Sequence, residues 1–515
     1  MLVRTPYLMK VLTAEQMRAA DRHTIEDLGV PSLELMERAG THMAELVAKD
    51  DSRRRVAVVS GRGNNGGDGW VVARRLAEMG RDVTVFPVAE RHECSPDCQA
   101  MWHQAESLVR VEEPGAGLQG FDAIVDAVYG TGYDPKRASM DPAADRAIHT
   151  ISSARDQSTI FALDVPSGLD ATTGRIGPAF VTADETITVQ HPKLGMFQGS
   201  GPDVIGRLAV VDIGIELPEK AAEGAPEMAP AEWYRGMLPR LSPAAHKRTR
   251  GSVLCIGGST TMPGSVALTG LGALCAGAGL ATCAVPESVH PIVAGYFPEL
   301  MTVPLPDAGM GCLTPEGADT VLAMLDRFDV LALGPGLTTQ PPAREAVQTL
   351  LTRADKPVVL DADGLNCLAE IGPVNRSAPL VLTPHAGEMA RLLGTTSADV
   401  VERRFECARD AEAKYRATIL LKGAYTIVCE SSGKCFVNAA GCPGLGTAGS
   451  GDVLTGAIAA LTHLAGSPQK GALLGAYLHG LAGEQCFARL GAQVGFTARD
   501  IARTLPLAVG ELLRR

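Results

Sequence analysis

A glycine-rich segment with amide and carboxylate side chains occupies residues 61–69, which spell Gly-Arg-Gly-Asn-Asn-Gly-Gly-Asp-Gly. It lies between a short apolar run and a segment with helical periodicity, so we predict a strand, a loop and then a helix. The backbone N–H groups of such a loop, helped by the start of the helix, can bind an anion such as a phosphate. A plain tight turn would also use glycine, but it would not require Asn64, Asn65 and Asp68.

Two other predicted strands end in acidic residues, Asp126 and Asp164, and Ser167 follows the second of them. The carboxyl ends of parallel strands share one edge of a sheet, so we expect these residues to lie near the first loop. Asn65, Asp126 and Ser167 offer oxygen ligands, which suit a hard cation better than a soft metal. Asp164 in a partly dehydrated pocket could act as a general acid or base. Each aspartate alone would more often be a cap or turn residue.

A second glycine-rich string, Gly-Thr-Ala-Gly-Ser-Gly-Asp at 446–452, precedes a long helical segment. Its N–H groups suit a phosphate or a developing oxyanion. Asp452 is placed to take a proton from a hydroxyl that attacks a phosphoryl group. The alternative is an ordinary helix start, in which Asp452 interacts with the helix dipole.

Further predicted strand ends in this half also carry polar groups. Lys422 can supply positive charge to a nucleotide phosphate, and His385 follows a strand end of its own. Asp361 and Asp363 suit Mg²⁺ bound through water. Taken singly, a strand-end lysine is usually solvated and a lone histidine is more often structural.

Apolar runs that alternate with helical segments predict an α/β protein with mainly parallel sheets. The length of 515 residues favours two domains, which we place at 1–222 and 228–515, with an exposed connection rich in Pro, Ala and Glu at 216–240. The predicted strands are 56–60, 82–88, 122–128, 159–165, 252–256, 280–285, 329–333, 357–361, 380–383, 419–422 and 426–429.

The composition excludes several classes of protein. Hydrophobic residues make up 46% of the chain, which excludes wholesale disorder, and the net charge of −11 disfavours a nucleic-acid partner. Residues 251–286 carry no charged side chain, but glycine and proline divide them into segments too short to span a membrane. We therefore expect no membrane partner and, because no signal peptide is visible, a cytoplasmic location.

The 12 cysteines contain no Cys-x-x-Cys pair, so we expect buried, reduced thiols. One zinc alternative, formed by His92, Cys94, Cys98 and His103, has irregular spacing and is disfavoured.

The first half resembles the NAD(P)H-hydrate epimerases over residues 1–215. The match rests on LMERAG at 35–40, GRGNNGGDGWVVAR at 61–74, DAVYGTGY at 126–133 and LDVPSGLD at 163–170. The resemblance implies a Rossmann-like three-layer sandwich that interconverts the R and S forms of the hydrated nicotinamide ring at C6. It also implies a potassium ion held by Asn65, Asp126 and Ser167, with Asp164 as the acid or base.

The second half, residues 240–515, resembles the ADP- or ATP-dependent NAD(P)H-hydrate dehydratases, which have a ribokinase-like α/β/α fold. The motifs are VLCIGGS at 253–259, GPGL at 334–337, LDADGLN at 360–366, LTPHAGE at 382–388, KGAYT at 422–426 and GTAGSGDVLTG at 446–456. The resemblance implies that Asp452 activates the C6 hydroxyl toward the nucleotide and that Mg²⁺ accompanies ADP or ATP. One departure is His246-Lys247-Arg248, where the family often has His-Lys-Gly.

The two resemblances together imply a set of binding residues. Hydrate contacts in the first half are Asn64, Asn65, Gly66, Gly67, Asp68, Gly130, Thr131, Gly132, Tyr133, Asp134, Pro135, Lys136 and Asp164. Hydrate contacts in the second half are Ser265, Gly336, His385 and Asp452, and nucleotide contacts are Lys422, Gly423, Ala424, Tyr425, Thr426 and Gly451.

The leading hypothesis is a bifunctional repair enzyme for hydrated NADH and NADPH, expected to form a homo-oligomer. One alternative is a vitamin-precursor kinase of ribokinase-like fold fused to a nucleotide-binding regulatory domain. Another is a non-catalytic binding protein for nicotinamide nucleotides.

Overall fold

The computed structural model describes residues 8–113, 117–135, 141–238 and 240–514. They form two units that divide between Glu227 and Met228, and residue 8 belongs with the second unit.

The first unit is built on a sheet whose strands are all parallel, in the order β3-β2-β1-β4-β5-β6-β7. The strands are β1 (Arg55–Ser60), β2 (Asp82–Pro87), β3 (Arg110–Val111), β4 (Ala123–Ala127), β5 (Thr159–Leu163), β6 (Glu185–Val189) and β7 (Arg207–Val211). Strands β1, β4 and β5, which lead to the predicted site residues, are neighbours.

Helices cover both faces of this sheet. Val56 and Val58 of β1 pack into the core beneath α2, α3 and α4, whereas Ala57 and Val59 pack on the opposite side with α5. This alternation explains why the central strands are apolar throughout. The helices are α1 (Ala14–Arg22), α2 (Ser32–Val47), α3 (Asn64–Glu78), α4 (Pro96–Ala105), α5 (Pro142–Ser153) and α6 (Gly201–Val204).

The sheet of the second unit runs β16-β15-β14-β13-β12-β11-β8-β9-β10. It is parallel except at β15, which is antiparallel to both of its neighbours. The strands are β8 (Ser252–Ile256), β9 (Leu280–Pro286), β10 (Met301–Leu305), β11 (Val330–Leu333), β12 (Val358–Leu360), β13 (Leu380–Leu382), β14 (Thr418–Leu421), β15 (Ile427–Cys429) and β16 (Cys435–Val437).

Helices of the second unit pack most closely where glycines let backbones meet. A Cβ on Gly456 of α16 would lie 1.8 Å from the carbonyl oxygen of Thr269 in α8, and a Cβ on Gly272 would lie 2.3 Å from Val453 O. The helices are α7 (Ala231–Arg235), α8 (Pro263–Cys275), α9 (His290–Ala294), α10 (Pro315–Ala323), α11 (Pro341–Arg353), α12 (Asp363–Ile371), α13 (Ala386–Leu393), α14 (Ser397–Glu402), α15 (Arg404–Tyr415), α16 (Ser450–Leu464), α17 (Pro468–Leu490) and α18 (Ala498–Arg514).

The α/β class with parallel sheets is confirmed, and several local predictions are wrong. Strands β3, β6, β7, β10 and β16 were not predicted. Helix α3 begins at Asn64, inside the loop predicted at 61–69, so most of that predicted loop is helical. Residues 226–230 and Tyr234 of the predicted exposed connection are buried, because Tyr234 stacks on Tyr477 with ring centroids 4.2 Å apart.

The cysteine prediction fails at one pair. Cys429 and Cys435 oppose each other on β15 and β16 and form a disulfide, whereas the other ten cysteines are free, most of them buried. Within the described residues, no group of His, Cys, Asp and Glu forms a metal-ligand cluster, so the disfavoured zinc set is not assembled. No helix in the described part of the chain has the length and apolar character needed to cross a membrane.

The turn around the departing His-Lys-Arg segment is closed by Thr249, whose Oγ1 accepts a hydrogen bond of 2.9 Å from the His246 N–H. Within residues 246–251, the positive φ falls on Gly251, where it is +85°, a value that glycine tolerates.

The α8–α16 contact predicts a stability effect. Gly456→Ala should lower the free energy of unfolding by about 1–3 kcal/mol, because the new methyl group overlaps a backbone carbonyl. The control is Gly510→Ala in α18, where a Cβ would meet only Arg514 Nη1 at 3.6 Å, and better helix propensity should raise stability by up to about 1 kcal/mol. Urea unfolding of the full chain measures both, and equal effects would contradict the close packing.

Candidate active sites

The first turn of α3 is pressed against the end of β4. A Cβ on Gly61 would lie 2.0 Å from Val128 O, and a Cβ on Gly66 would lie 1.9 Å from Gly61 O. These glycines are therefore required for close backbone approach. The approach brings Asn65 to Gly130, where an added Cβ would lie 3.3 Å from Asn65 Oδ1.

Asp126 and Ser167, predicted from separate strands, are directly hydrogen-bonded and fully buried. Ser167 Oγ donates to Asp126 Oδ1 at 2.6 Å, and the Ser167 N–H donates to Oδ2 at 2.8 Å. Burial raises the pKa of Asp126 to about 6, although the hydrogen bonds from Ser167 oppose the shift. Ser167 Oγ also accepts from the Tyr129 N–H at 2.8 Å, which ties this pair to the segment before Gly130.

Asn65 supplies a buried amide whose Oδ1 and Nδ2 both lack a hydrogen-bond partner. Burying an unpartnered amide is costly, so such a group indicates a missing ligand. Its oxygen, the buried Asp126 carboxylate and the Ser167 hydroxyl are the types of oxygen ligand that a hard cation prefers. The residues present are thus compatible with potassium.

Asp164 follows β5 with a φ of +63°, an unusual value for a residue other than glycine. Its Oδ1 accepts hydrogen bonds from Lys193 Nζ, from Thr188 Oγ1 at 3.1 Å and from the Val189 N–H at 3.2 Å. Lys193 is completely buried and also donates to Thr188 Oγ1 at 2.7 Å and Val189 O at 3.0 Å. Lys193 was not predicted as a site residue, because it follows β6, a strand that was not predicted.

Two further carboxylates interact with this ion pair. Burial, with smaller contributions from Asp164 and Asp21, raises the pKa of Asp68 well above its usual range. Burial also raises the pKa of Asp21 to about 6, and Lys193 opposes the shift. Asp68 was predicted as a substrate contact; its environment favours the protonated form. Asp21 was not predicted.

The remaining predicted contacts of this unit lie around the same edge. Asn64 Oδ1 accepts from Ser95 Oγ at 2.9 Å. Tyr133 closes a turn onto Gly130 O, and its buried hydroxyl lacks a hydrogen-bond partner. Of the other predicted contacts, Gly67 lies in α3, and Thr131, Gly132, Asp134 and Pro135 follow Gly130 along the chain. Lys136 lies outside the described residues.

In the second unit, three of the four predicted hydrate contacts, Ser265, Gly336 and Asp452, lie near the start of α16. Ser265 lies beside Asp452, and a Cβ on Gly336 would lie 3.2 Å from Ser265 Cβ. Burial raises the pKa of Asp452 to about 7, and the nearby Asp361 carboxylate adds to the shift. A carboxylate that titrates near neutral pH suits a general base.

The strand-end position of Lys422 suggested a free positive charge, but the structure pairs this charge with carboxylates. Its Nζ donates to Asp361 Oδ1 at 2.6 Å and lies 3.6 Å from Glu388 Oε2. Although burial opposes the charge on Lys422, these carboxylates outweigh it and raise its pKa. Thr455 Oγ1 holds the other oxygen of Asp361 at 2.6 Å, so Asp361 is a buried anchor between Lys422 and α16.

His385 caps α13 with its ring. Its Nδ1 accepts hydrogen bonds from the N–H groups of Gly387 at 2.9 Å and Glu388 at 3.3 Å. A nitrogen that accepts from N–H groups carries no proton, so the proton of a neutral ring is on Nε2. The side chain is 55% exposed, and its Nε2 lies 3.5 Å from Glu388 Oε1.

The predicted nucleotide segment, residues 422–426, links β14 to β15. Gly423 and Tyr425 have φ values of +146° and +54°. A Cβ on Gly451 would lie 3.6 Å from Lys422 Nζ, so this segment adjoins the start of α16. Buried Arg404, which was not predicted, hydrogen-bonds the backbone of the segment.

The two units thus define a class: an α/β enzyme with two nucleotide-type sites, each at the carboxyl edge of a parallel sheet. Comparisons with known proteins identify the family. A family model described as NAD(P)H-hydrate dehydratase matches residues 253–507, and one described as YjeF-related protein N-terminus matches 32–195.

Relatives match the whole chain. The Bifunctional NAD(P)H-hydrate repair enzyme Nnr of Moorella thermoacetica is 40% identical over 98% of this chain and 97% of its own length. The protein of that name from Thermofilum pendens is 34% identical over 98% and 97%. The chain belongs to the family of bifunctional NAD(P)H-hydrate repair enzymes.

One solved structure supports the fold of the second unit. The ADP/ATP-dependent NAD(P)H-hydrate dehydratase of Bacillus subtilis, co-crystallized with ATP and Mg²⁺, is 29% identical with a TM-score of 0.50. The match covers 55% of this chain and 98% of that chain, which confirms the ribokinase-like fold.

The buried ion pair of the first unit predicts a pH-dependent loss of stability. Lys193→Met should cost about 3–5 kcal/mol near pH 8, because it leaves Asp164 without its buried cation. Lys193 lowers the pKa of Asp21 and Asp68, so part of the loss near pH 8 comes from removing its attraction to these two carboxylates. Near pH 5 they are protonated to a greater extent, and the loss of stability should therefore be smaller. Urea unfolding at both pH values, with the exposed Lys49→Met as control, tests this. An equal loss at both would contradict it.

Proposed function

We propose that this enzyme repairs hydrated NADH and NADPH at two sites. The first unit interconverts the R and S forms at C6, and the second dehydrates the S form with ADP or ATP. The observation that carries the proposal is the position of Asp452 at the start of α16, half-buried beside Ser265, where burial raises its pKa to about 7, in a chain similar over its whole length to bifunctional repair enzymes.

In the second unit, Asp452 removes the proton of the C6 hydroxyl as its oxygen attacks the terminal phosphorus of the nucleotide. The bond from phosphorus to the bridging oxygen breaks, and the shortened nucleotide leaves. The phosphate ester at C6 then departs while C5 loses a proton, which restores the C5–C6 double bond. The balance is that of water removal driven by one phosphoanhydride bond.

The neighbouring residues orient the reactants. Ser265 and Gly336 hold the ring side of the substrate against Asp452. His385 presents an Nε2–H donor, and residues 422–426 with Gly451 contact the nucleotide phosphates. Mg²⁺, when bound with the nucleotide, would neutralise phosphate charge. Asp363 would hold it through water, because both carboxylate oxygens of Asp361 are already bound by Lys422 and Thr455.

In the first unit, Asp164 is the acid or base. Protonation of the C6 hydroxyl lets it leave as water, the ring nitrogen stabilises the planar cation, and water adds to the other face. Asp164, whose position Lys193 fixes, gives this proton to the C6 hydroxyl and takes one back from the incoming water. Asp68, whose pKa is raised, carries a second proton nearby. Potassium held by Asn65, Asp126 and Ser167 would supply positive charge beside the substrate's phosphates.

The kinase alternative shares the start of α16, but the full-length relatives favour repair. Product analysis separates the two: a kinase leaves a stable phosphorylated product, whereas a dehydratase regenerates the absorbance of reduced nicotinamide.

We further propose that the functional domains are 1–222 and 228–515, and that the enzyme forms a homo-oligomer in the cytoplasm. The division between residues 227 and 228 supports the domain limits.

Asp452→Asn tests the second site. We expect kcat for nucleotide-dependent dehydration to fall by at least about 10²-fold, because the amide cannot accept the hydroxyl proton, while nucleotide binding persists. In the wild type, kcat should rise with pH through about 7 as Asp452 loses its proton, and then level off. The exposed Asp355→Asn is the control. Unchanged turnover in Asp452→Asn would exclude it as the base.

Asp126→Asn tests the cation site. R-to-S interconversion by the wild type should accelerate with K⁺, and the variant should need at least about tenfold more K⁺, because it lacks the buried negative charge. The interconversion is followed by chromatography of the two epimers, with choline in place of K⁺ at constant ionic strength. An identical response in both proteins would reject Asp126 as a potassium ligand.

A further inference from the structure

Arg404 begins α15, and its guanidinium packs against the segment at 422–426. Nη1 donates to Ala424 O at 2.7 Å and Nη2 donates to Tyr425 O at 3.1 Å. Only 6% of the residue is exposed, and burial lowers its pKa to about 10, so it still carries its charge at neutral pH. One buried cation therefore fixes two consecutive carbonyl groups.

The neighbouring carbonyls are also engaged. Gly423 O accepts from Thr426 Oγ1 at 3.1 Å, and Thr426 O accepts from the Asn438 N–H at 2.8 Å. The carbonyl groups of four successive residues, 423–426, thus accept hydrogen bonds from within the protein. This pattern fixes the orientation of every peptide plane in the segment.

Fixed carbonyls also fix the N–H groups. In a trans peptide the N–H points opposite to the C=O of the same plane, and the described residues contain no cis bond. The N–H groups of Tyr425 and Thr426 therefore point away from Arg404. The φ of +54° at Tyr425 lies in the left-handed region, which occurs in backbone segments whose N–H groups form a concave anion-binding surface.

We propose that Arg404 is a positioning residue for nucleotide binding: it holds the carbonyls of Ala424 and Tyr425 so that the adjoining N–H groups face the phosphates. This inference rests on the proposed function, which assigns 422–426 to the nucleotide. Arg404 also places positive charge behind the segment, where Lys422 is already bound by Asp361 and Glu388. Gly423 allows this packing, since a Cβ there would lie 3.1 Å from Arg404 Nη2.

The test compares Arg404→Lys with a matched control, Arg376→Lys, in the full-length enzyme. Arg376 is a half-buried arginine that also binds backbone carbonyls: it donates to Ala378 O at 2.8 Å, Leu351 O at 2.9 Å and Lys356 O at 2.8 Å. These carbonyls precede β12 and β13, at the opposite strand ends from residues 422–426. Both substitutions keep the charge and remove the fork of donors.

Arg404→Lys should raise both the KM for ADP and the calorimetric Kd for Mg²⁺–ADP about tenfold or more, with kcat and the KM for the hydrate within about threefold. Arg376→Lys should leave all four unchanged. Arg404→Met should weaken ADP binding further, and added guanidinium at millimolar concentration should partly restore it. The melting temperature and the epimerase activity report whether each variant is folded.

Unchanged ADP affinity in a folded Arg404→Lys would overturn the inference, and so would an equal loss in Arg376→Lys. Calorimetry separates this result from the proposed function, because it needs no turnover. If the wild type binds Mg²⁺–ADP through Arg404 but dehydrates no hydrate, the positioning role stands and the proposed function fails.

Discussion

Both sites depend on a buried ion pair between a lysine and an aspartate at the carboxyl edge of a sheet. Lys193 binds Asp164 in the first unit, and Lys422 binds Asp361 in the second. A buried carboxylate is costly unless a cation and further hydrogen bonds compensate it. Thr188 and Thr455 supply those additional bonds. Each lysine therefore allows its aspartate to remain ionised in a site from which most water is excluded.

The same arrangement separates compensated from uncompensated carboxylates. Asp361 is held by Lys422, whereas Asp452 lies close by without a salt bridge of its own among the described residues, and its pKa rises to about 7. The charge of Asp361 contributes to that rise. Two acidic residues in one pocket thus take different roles because only one of them is bound to a cation.

The α/β fold and the positions of both candidate sites could be predicted from the sequence, for identifiable physical reasons. Glycine-rich strings at strand ends indicated both sites, because close backbone approach requires glycine whatever the surrounding fold. Lys193 could not be found this way: it lies beyond β6, whose residues Thr186 and Thr188 weaken the apolar pattern. Arg404 is far in sequence from the segment that it supports, so only tertiary structure relates them.

At the start of α3 the predicted loop is wrong, although the predicted site residues are still brought together. Five glycines in nine residues predicted a loop, since glycine disfavours helices by about 1 kcal/mol each. The helix nevertheless begins at Asn64, because Gly66, Gly67 and Gly69 are positions where a Cβ would overlap neighbouring atoms. Tertiary packing therefore overrides propensity. The helical turn places Asn65 against Gly130 with its amide unpartnered, a feature that a mobile loop could not maintain.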